Sequence, residues 1–502
     1  MDRVFTNRAD PCDIAELWSV SFKRGELRAL LVRATTQARQ TGQATLVSLV
    51  FPAPDVDPLR MLYAFQRLYQ GKCFYWEQPA RQMALVGAGM ALSLETDDAG
   101  RFAYATRAWR KLRDETLIVL HPELANTQAD VSHGPVLFGG FSFDPLRPRT
   151  SLWQEFPHGL LIVPTFLFSR HEKQATFTLS RLVQSTDNLD NLTNSMSEQV
   201  AGISSLVVSL PHVASHALPE KQQYALSDVG SAEDWKNLVA STARAIQQGE
   251  YAKVVLAREA QVTAGGQPFS LVSTLQCLRQ SYPGANVFAL QRGARAFVGA
   301  TPERLIRAWG GQLHTIALAG SAPRGTSAEE DRLLGSALLR SAKNRKEHEI
   351  VASMIRDALA RLCSRVWVAD TPELLRLKNI QHLQTAIVGE LLPGRSILEA
   401  LQILHPTPAV GGSPTEAALA FIRTYENMDR GWYAGPIGWV DLQGNGEFAV
   451  ALRSALLGER QATLFAGCGI MADSDPEAEY AESCLKLQVI LRSLSEEERD
   501  AL

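Results

Sequence analysis

The apolar residues of this chain are gathered into many short runs that turn-forming residues separate. Four runs in the first half predict β-strands, at residues 44–51, 82–88, 136–143 and 160–168. The most apolar window, residues 159–168, is far shorter than the roughly 20 residues that a membrane-spanning helix needs. With 502 residues, of which 46% are hydrophobic, the chain can bury a large core. We therefore expect a folded core that contains many strands, and no membrane span.

Composition excludes several classes of function. The net charge is only -3 and no basic tract is present, so nucleic acid is not an expected partner. The six cysteines form no CxxC pair, which argues against a structural zinc site or a disulfide framework and favours a reducing cytoplasm. No P-loop, GxGxxG fingerprint or GxSxG elbow occurs, so nucleotide-binding and serine-hydrolase functions lack support.

The two halves of the chain differ in the signals that they carry. Residues 184–199 are polar and predict a surface helix or a linker between the halves. We place the boundary between an N-terminal region, 1–229, and a C-terminal region, 230–496, which holds the sharper motifs. A long helix is predicted over residues 327–362.

Near the C-terminus, the Gly-Cys-Gly segment at 467–469 predicts a turn before a helix that carries Glu479, Glu482 and Lys486. Glycines can expose backbone N–H groups to an anion, and two carboxylates within one helical turn can hold a hard divalent cation. The alternative is an exposed Glu482–Lys486 pair, which stabilises a helix by only ~0.3–0.5 kcal/mol. Spacing alone leaves both interpretations open.

Glu347 is a second candidate metal ligand. On a helix it shares a face with Ile350, Val351 and Met354, which predicts that it points toward the interior. A buried carboxylate is unfavourable unless it is paired or binds a metal, so a structural ion pair and a metal site both remain possible. Carboxylates from two helices, with no histidine or cysteine partner, would suit Mg²⁺.

Three charged residues lie in or beside apolar strands. Lys253, within the run 251–257, is either a general base that burial pushes toward its neutral form or an edge lysine that reaches solvent. Glu303 could act as a general acid if its pKa is raised, or could pair with Arg304 or cap a helix. Arg453 requires an anion, from the protein or from a substrate.

Two further polar residues, His382 and Tyr433, could donate hydrogen bonds to a ligand. A satisfied role in the core is the ordinary expectation for each, and the sequence alone does not choose between the two.

Six motifs follow one another in an order and spacing known from one family: 253–258 (KVVLAR), 300–304 (ATPER), 318–321 (LAGS), 343–349 (KNRKEHE), 405–409 (HPTPA) and 466–470 (AGCGI). The chain resembles the chorismate-utilising enzymes, which include isochorismate, salicylate, anthranilate and aminodeoxychorismate synthases. The resemblance covers about residues 231–494. In the first half, residues 74–77 and 138–144 are most similar to isochorismate synthases of the menaquinone pathway.

The resemblance implies an α+β fold of large, stacked, mostly antiparallel sheets flanked by helices, with both regions sharing one core. It implies that Lys253 activates water as general base and that Glu303 protonates the departing hydroxyl group. Mg²⁺ would be bound by Glu347 and Glu482, with Glu479 in or beside the coordination sphere. The substrate, chorismate, would be contacted by His382, Ala409, Tyr433, Arg453, Gly467, Cys468, Gly469 and Lys486. Cys468 replaces the family's usual alanine, and little effect is expected because the backbone would make the contact.

Three places in the sequence favour one reaction within the family. Lys253 favours water over ammonia as nucleophile, and residues 317–320 lack the lysine of some amine-forming relatives, so no glutaminase subunit is expected. Ala409, followed by Val410, favours release of isochorismate over elimination of pyruvate. The alternatives are a salicylate synthase, an isochorismate synthase of a siderophore or salicylate pathway, an amine-forming synthase and a non-catalytic binding protein on the same scaffold.

Overall fold

The computed structural model describes residues 21–124, 134–210, 224–376 and 380–494. The helices of these residues are α1 (Arg24–Thr41), α2 (Pro58–Leu68), α3 (Arg101–Glu115), α4 (Leu189–Ser209), α5 (Ala232–Gln247), α6 (Leu271–Ser281), α7 (Ala328–Arg340), α8 (Ala342–Leu359), α9 (Ile397–Leu404), α10 (Thr415–Tyr425) and α11 (Pro476–Leu494). None of the helices in these ranges is long and apolar enough to cross a membrane.

The strands lie between these helices singly or in runs. They are β1 (Thr45–Ala53), β2 (Cys73–Gln78), β3 (Met83–Ala88), β4 (Leu92–Thr96), β5 (Leu117–Leu120), β6 (Val136–Phe141), β7 (Gly159–Val163), β8 (Phe166–His171), β9 (Gln174–Val183), β10 (Tyr224–Asp228), β11 (Lys253–Ala264), β12 (Asn286–Arg292), β13 (Arg295–Thr301), β14 (Arg304–Trp309), β15 (Gln312–Pro323), β16 (Cys363–Val368), β17 (Glu373–Arg376), β18 (Ile380–Leu391), β19 (Gly412–Ser413), β20 (Pro436–Asp441), β21 (Gly446–Val450), β22 (Ser454–Leu457) and β23 (Gln461–Ile470).

These strands form two large sheets. The first has 13 strands in the order β10-β11-β23-β22-β13-β12-β2-β3-β8-β9-β1-β5, with β19 also paired to β11. The second has 10 strands in the order β16-β18-β15-β14-β21-β20-β6-β7-β4, with β17 paired to β18. Except for the parallel pair β1–β5, the pairing is antiparallel. The expected α+β fold of stacked, mostly antiparallel sheets is therefore confirmed.

Strands from both halves of the sequence pair directly in each sheet. In the first sheet β2 lies beside β12, and in the second sheet β6 lies beside β20. The first four residues of β2, Cys73 to Trp76, are apolar, and both faces of the strand are buried there. Cys73 and Tyr75 face the core beneath the helices, whereas Phe74 and Trp76 face the second sheet. Phe74 stacks on Phe138 of β6 with 4.2 Å between ring centroids, so these rings join the two sheets.

Two of the places where the chain crosses between the sheets are adjacent. Residues 302–303 lead from β13 to β14, and residues 451–453 lead from β21 to β22. The crossings are tied together by hydrogen bonds from Val450 N to Glu303 O (2.9 Å), from Ala300 N to Arg453 O (3.1 Å) and from Thr301 Oγ1 to Val450 O (2.6 Å). Glu303 and Arg453 therefore lie side by side where the two sheets meet.

Two expectations of local structure were wrong. Residues 160–168 are not one strand, because β7 ends before Pro164 and β8 begins after it in the other sheet. Residues 327–362 are not one helix, because Ser341 lies between α7 and α8. The Ser341 hydroxyl accepts a hydrogen bond from Asn344 N at 3.3 Å, which caps the start of α8.

Candidate active site

Lys253 is the first residue of β11, and two glycines on the neighbouring strand make room around it and around Tyr433. A Cβ atom at Gly469 would lie 2.6 Å from Cε of Lys253, and one at Gly467 would lie 3.0 Å from Oη of Tyr433. The predicted turn at 467–469 is wrong, since these residues continue β23 to Ile470 and pair with β11. The glycines therefore leave space for two side chains of the site.

Burial and mutual charge perturb Lys253 and Glu303 in opposite directions. Burial lowers the pKa of Lys253, against the raising influence of Glu347, Glu303 and Glu479. Burial raises the pKa of Glu303, although Lys253 and Arg453 act to lower it. Neither the Lys253 ammonium nor the Glu303 carboxylate makes a hydrogen bond or ion pair within the described ranges. The Lys253 and Glu303 side chains thus lie within reach of each other's charge.

Arg453 and Tyr433 form a wall of the same site. The Arg453 side chain has no hydrogen-bonding or ion-pairing partner in the part of the chain that the structure describes, and burial lowers its pKa. Its backbone has φ of 49°, in the left-handed region, at a cost of roughly 1–2 kcal/mol. The ring of Tyr433 stacks on Phe465 at 5.4 Å, and burial raises the pKa of its phenol, which keeps it a donor. A partly buried cation and a buried donor, neither with an anionic partner among the described residues, suit an anionic ligand.

The carboxylates of α11 lie next to Cys468. Ligand atoms of Cys468, Glu479 and Glu482 are all within 4.8 Å of one another. Ser474 Oγ donates to Glu479 Oε1 at 2.7 Å, and burial raises the pKa of Glu479. Burial also raises the pKa of the Cys468 thiol to about 12, so the thiol stays protonated and only the two carboxylates offer hard, charged ligand atoms.

The Glu482–Lys486 ion pair, which was the alternative to a metal site on sequence spacing alone, is present. Lys486 Nζ lies 2.6 Å from Glu482 Oε1, and Glu482 is half exposed. The same ammonium donates to Gly467 O at 2.7 Å. Lys486 therefore links the helical carboxylates to the end of β23.

Glu347 is partly buried near the start of α8, but the reasoning from its helical face was wrong. Ile350 and Met354 are exposed, at 54% and 46%, and the residues that α8 buries are His348, Ala352 and Leu359. The imidazole of His348 bonds to Ala319 O and Thr385 Oγ1, so a polar residue anchors the buried face. Glu347 is outside the group formed by Cys468, Glu479 and Glu482, but it is close enough to raise the pKa of Lys253.

Two further candidate residues reach the site from other elements: His382 from β18 of the second sheet and Ala409 from a loop. His382 Nδ1 lies 2.7 Å from Ser321 Oγ, and its pKa is lowered by burial and then by Lys253 and Lys486. Ala409 belongs to the loop between α9 and β19, and β19 pairs with Lys253 through Ser413. The fold thus brings His382 within the field of both lysines and ties the Ala409 loop to the start of β11.

Sequence reasoning missed three polar partners of these residues. Ser474 bonds Glu479, Ser321 bonds His382, and the Glu426–Arg430 pair is buried beside β11. Ser321 lay within a recognised motif but carried no assigned role. Nothing in the local spacing of Ser474 signalled its contact.

Comparison with known proteins identifies the class to which this fold and site belong. A family model described as chorismate binding enzyme matches residues 33–495. The chain belongs to this family of chorismate-binding enzymes.

Particular relatives resemble almost the whole chain. It is 36% identical over 479 residues to the isochorismate synthase MenF of Bacillus subtilis strain 168, covering 94% of this chain and 98% of that protein. It is 38% identical over 472 residues to the salicylate biosynthesis isochorismate synthase of Pseudomonas aeruginosa, covering 93% and 94%.

Solved structures give the same picture of the fold. The menaquinone-specific isochorismate synthase MenF of Escherichia coli superposes with a TM-score of 0.72 at 26% identity, covering 93% of this chain and all (100%) of that one. Anthranilate synthase component I of Streptococcus pneumoniae, at 19% identity and a TM-score of 0.64 over 82% of this chain and 92% of that one, shares the fold.

Proposed function

We propose that this protein is an isochorismate synthase, which isomerises chorismate to isochorismate. The observation that carries the proposal is that Lys253, whose pKa is lowered, lies near Glu303, whose pKa is raised. Beside them is Arg453, which has no ion-pair partner in the described ranges. The full-length similarity to enzymes named isochorismate synthase supports the same reaction.

The reaction moves a hydroxyl group from C4 of the ring to C2. Neutral Lys253 takes a proton from water as the water oxygen bonds to C2, and the two ring double bonds shift by one position. The C4–O bond breaks, and Glu303 donates the proton with which that oxygen leaves as water. Each transfer contributes roughly 10²–10⁴-fold to the rate. One water enters and one leaves, so neither a redox cofactor nor ATP is required.

The remaining residues would hold the substrate. Arg453, Tyr433 and Lys486 would bind its two carboxylates, together with backbone N–H groups of residues 467–469. Phe465 is the last residue of β23 that pairs with β22, through Ser454. Beyond it, the edge of β23 opposite β11 has no strand beside it in the described ranges. His382 and Ala409 would line the pocket.

Mg²⁺ is the cofactor that we propose, and the donor set fits it. Glu479 and Glu482 converge beside the Cys468 thiol, and Mg²⁺ prefers their hard carboxylate oxygens to a soft sulfur ligand. Glu482, Glu479 and Glu347 would hold the ion. When bound, it would withdraw electron density from the ring through a substrate carboxylate and fix the orientation of the substrate. Treatment with EDTA should stop turnover, and added Mg²⁺ should restore it.

The product could enter more than one pathway. Residues 74–77 resemble isochorismate synthases of menaquinone formation, and we propose that route, with the protein acting in the cytoplasm. The similarly close relative named for salicylate biosynthesis makes salicylate supply the second candidate. Growth of a strain that lacks menaquinone-specific isochorismate synthase, with and without this chain, tests the first route.

The decisive experiment is incubation of the purified protein with chorismate and Mg²⁺. Isochorismate should accumulate, by chromatographic separation, without pyruvate in a lactate dehydrogenase assay. Pyruvate formed without an added lyase would identify a salicylate synthase instead. Aminated products that require ammonia would identify an amine-forming synthase, contrary to the expected absence of a glutaminase subunit.

A further inference from the structure

A fully buried ion pair lies beside the strand that begins at Lys253. Nε and Nη2 of Arg430 each lie 2.6 Å from an oxygen of Glu426, and the two side chains are 3% and 2% exposed. Taking two charges out of water is so unfavourable that an apolar pair of similar volume often stabilises a fold equally well. Stability alone therefore does not explain why this pair is charged.

The pair bonds backbone groups of two segments that carry site residues. Arg430 donates to Val255 O at 2.7 Å and to Val410 O at 3.0 Å, and Glu426 Oε2 accepts from Ala257 N at 2.7 Å. Val255 lies two residues after Lys253, and Val410 directly follows Ala409.

These bonds lie along an edge of β11 that has little strand pairing. Strand β19 covers this edge only at Lys253 and Val254, and β10 joins it only from Ala260 onward. Between these points the carboxylate and the guanidinium occupy the place of a neighbouring strand. Two apolar side chains could fill the volume but could not bond the backbone.

We propose that Glu426 and Arg430 are positioning residues, which hold the Lys253 strand and the Ala409 loop at a fixed separation across the substrate site. Arg430 also packs over the ring of Phe143 at 4.3 Å, which fixes the plane of its guanidinium. Because a displacement of about 1 Å in a catalytic group can cost about 10²-fold in rate, the pair acts on turnover through Lys253. This inference rests on the proposed isochorismate synthase activity.

The test compares two neutral double variants. Glu426→Gln with Arg430→Gln removes this pair. As a control, Asp57→Asn with Arg279→Gln removes a bidentate pair (2.9 and 2.7 Å) outside the site, which is less buried and in which Asp57 also caps α2. We expect kcat to fall roughly 10- to 100-fold in the first variant, with KM for chorismate little changed, and to stay near that of the unsubstituted protein in the control. Amide hydrogen exchange of residues 253–258 should quicken only in the first.

A volume-matched variant keeps the test decisive if the first variant does not fold. Glu426→Leu with Arg430→Met fills the space but cannot bond Val255 O, Val410 O or Ala257 N. Unchanged kcat in a folded variant of either kind, or an equal loss of kcat in the control, overturns the proposal. Failure of the unsubstituted protein to make isochorismate would instead refute the proposed function, and the exchange measurement would still report on the positioning.

Discussion

The two sides of the candidate site are built differently. Lys253, Glu303 and Arg453 stand on strands or on crossings between sheets, where they are partly buried and lack ion-pair partners within the described ranges. Glu482 and Lys486 stand on α11, where they pair with each other and Glu482 is half exposed. The strand side keeps its charges unsatisfied, whereas the helix side satisfies its own.

This difference separates two tasks. Residues that would transfer protons need fixed positions and shifted pKa values, and backbone hydrogen bonds at the start of β11 and between the crossings provide such rigidity. Residues that bind a metal and an anion can exchange one partner for another, so a surface pair such as Glu482–Lys486 loses little when a ligand replaces it. The predictions below test this division, beginning with the largest effect.

Replacing Glu303 with glutamine should have the largest effect on turnover. The amide occupies the same space but cannot give up a proton to the departing hydroxyl group, so kcat should fall by roughly 10²–10⁴-fold. Chorismate should still bind, as measured by isothermal titration calorimetry. A variant with near-normal turnover would remove Glu303 from the acid role and end the contrast between the two sides.

Replacing Lys253 with alanine should remove water addition and change the pH dependence. Lys253 works as a base only when neutral, so kcat/KM should rise with pH as its ammonium loses a proton, and its lowered pKa moves that limb to lower pH. Glu303 works as an acid only when protonated, so the rate should fall as pH rises further, and its raised pKa moves that limb to higher pH. The rising limb of kcat/KM against pH should be absent from the residual activity of Lys253→Ala. If the limb persists in this variant, it reports the titration of another group.

Replacing Gly469 with alanine should disturb the strand side without unfolding it. The added Cβ would lie 2.6 Å from Cε of Lys253, and the flexible side chain can move aside. We expect a loss in kcat of up to about 10²-fold, with a nearly unchanged melting temperature. Gly202→Ala on α4, where an added Cβ meets no atom within 4 Å, is the matched control and should keep full turnover.

Replacing Glu482 with glutamine should have the smallest effect on stability. An exposed pair four residues apart on a helix contributes only about 0.3–0.5 kcal/mol, so urea denaturation should barely change. The Mg²⁺ concentration for half-maximal activity should rise, because one proposed ligand is lost. Unchanged Mg²⁺ dependence would place the ion elsewhere.

The sequence identified the charged residues that cluster at the candidate site better than it identified the structure around them. Lys253, Glu303 and Arg453 were recognisable because a charge in or beside an apolar strand is unusual, and the structure brings all three within one electrostatic neighbourhood. Their motifs also gave the α+β class, since the order of the motifs is specific to a family. Their catalytic roles remain predictions.

The break between α7 and α8 at Ser341 is local, but the other failures reflect contact between residues distant in sequence. Residues 160–168 looked like one apolar strand because periodicity does not say which sheet each part joins. Ile350 and Met354 looked buried because they are apolar residues at helical spacing. They are exposed because His348, bonded to Ala319 and Thr385, occupies the inward face of α8. The space around Gly469 depends on a side chain from β11, which no local pattern encodes.

The paired crossings between the sheets have one more consequence. Glu303 and Arg453 lie on neighbouring segments that are hydrogen-bonded to each other and whose ends are anchored in different sheets. Sliding one sheet over the other would have to break those bonds before it could change the distance between the Glu303 carboxyl group and the Arg453 guanidinium. This part of the site therefore should not move independently of the sheets. Turnover and the hydrogen bonds between the two crossings should be lost together, in one cooperative transition, as denaturant is added.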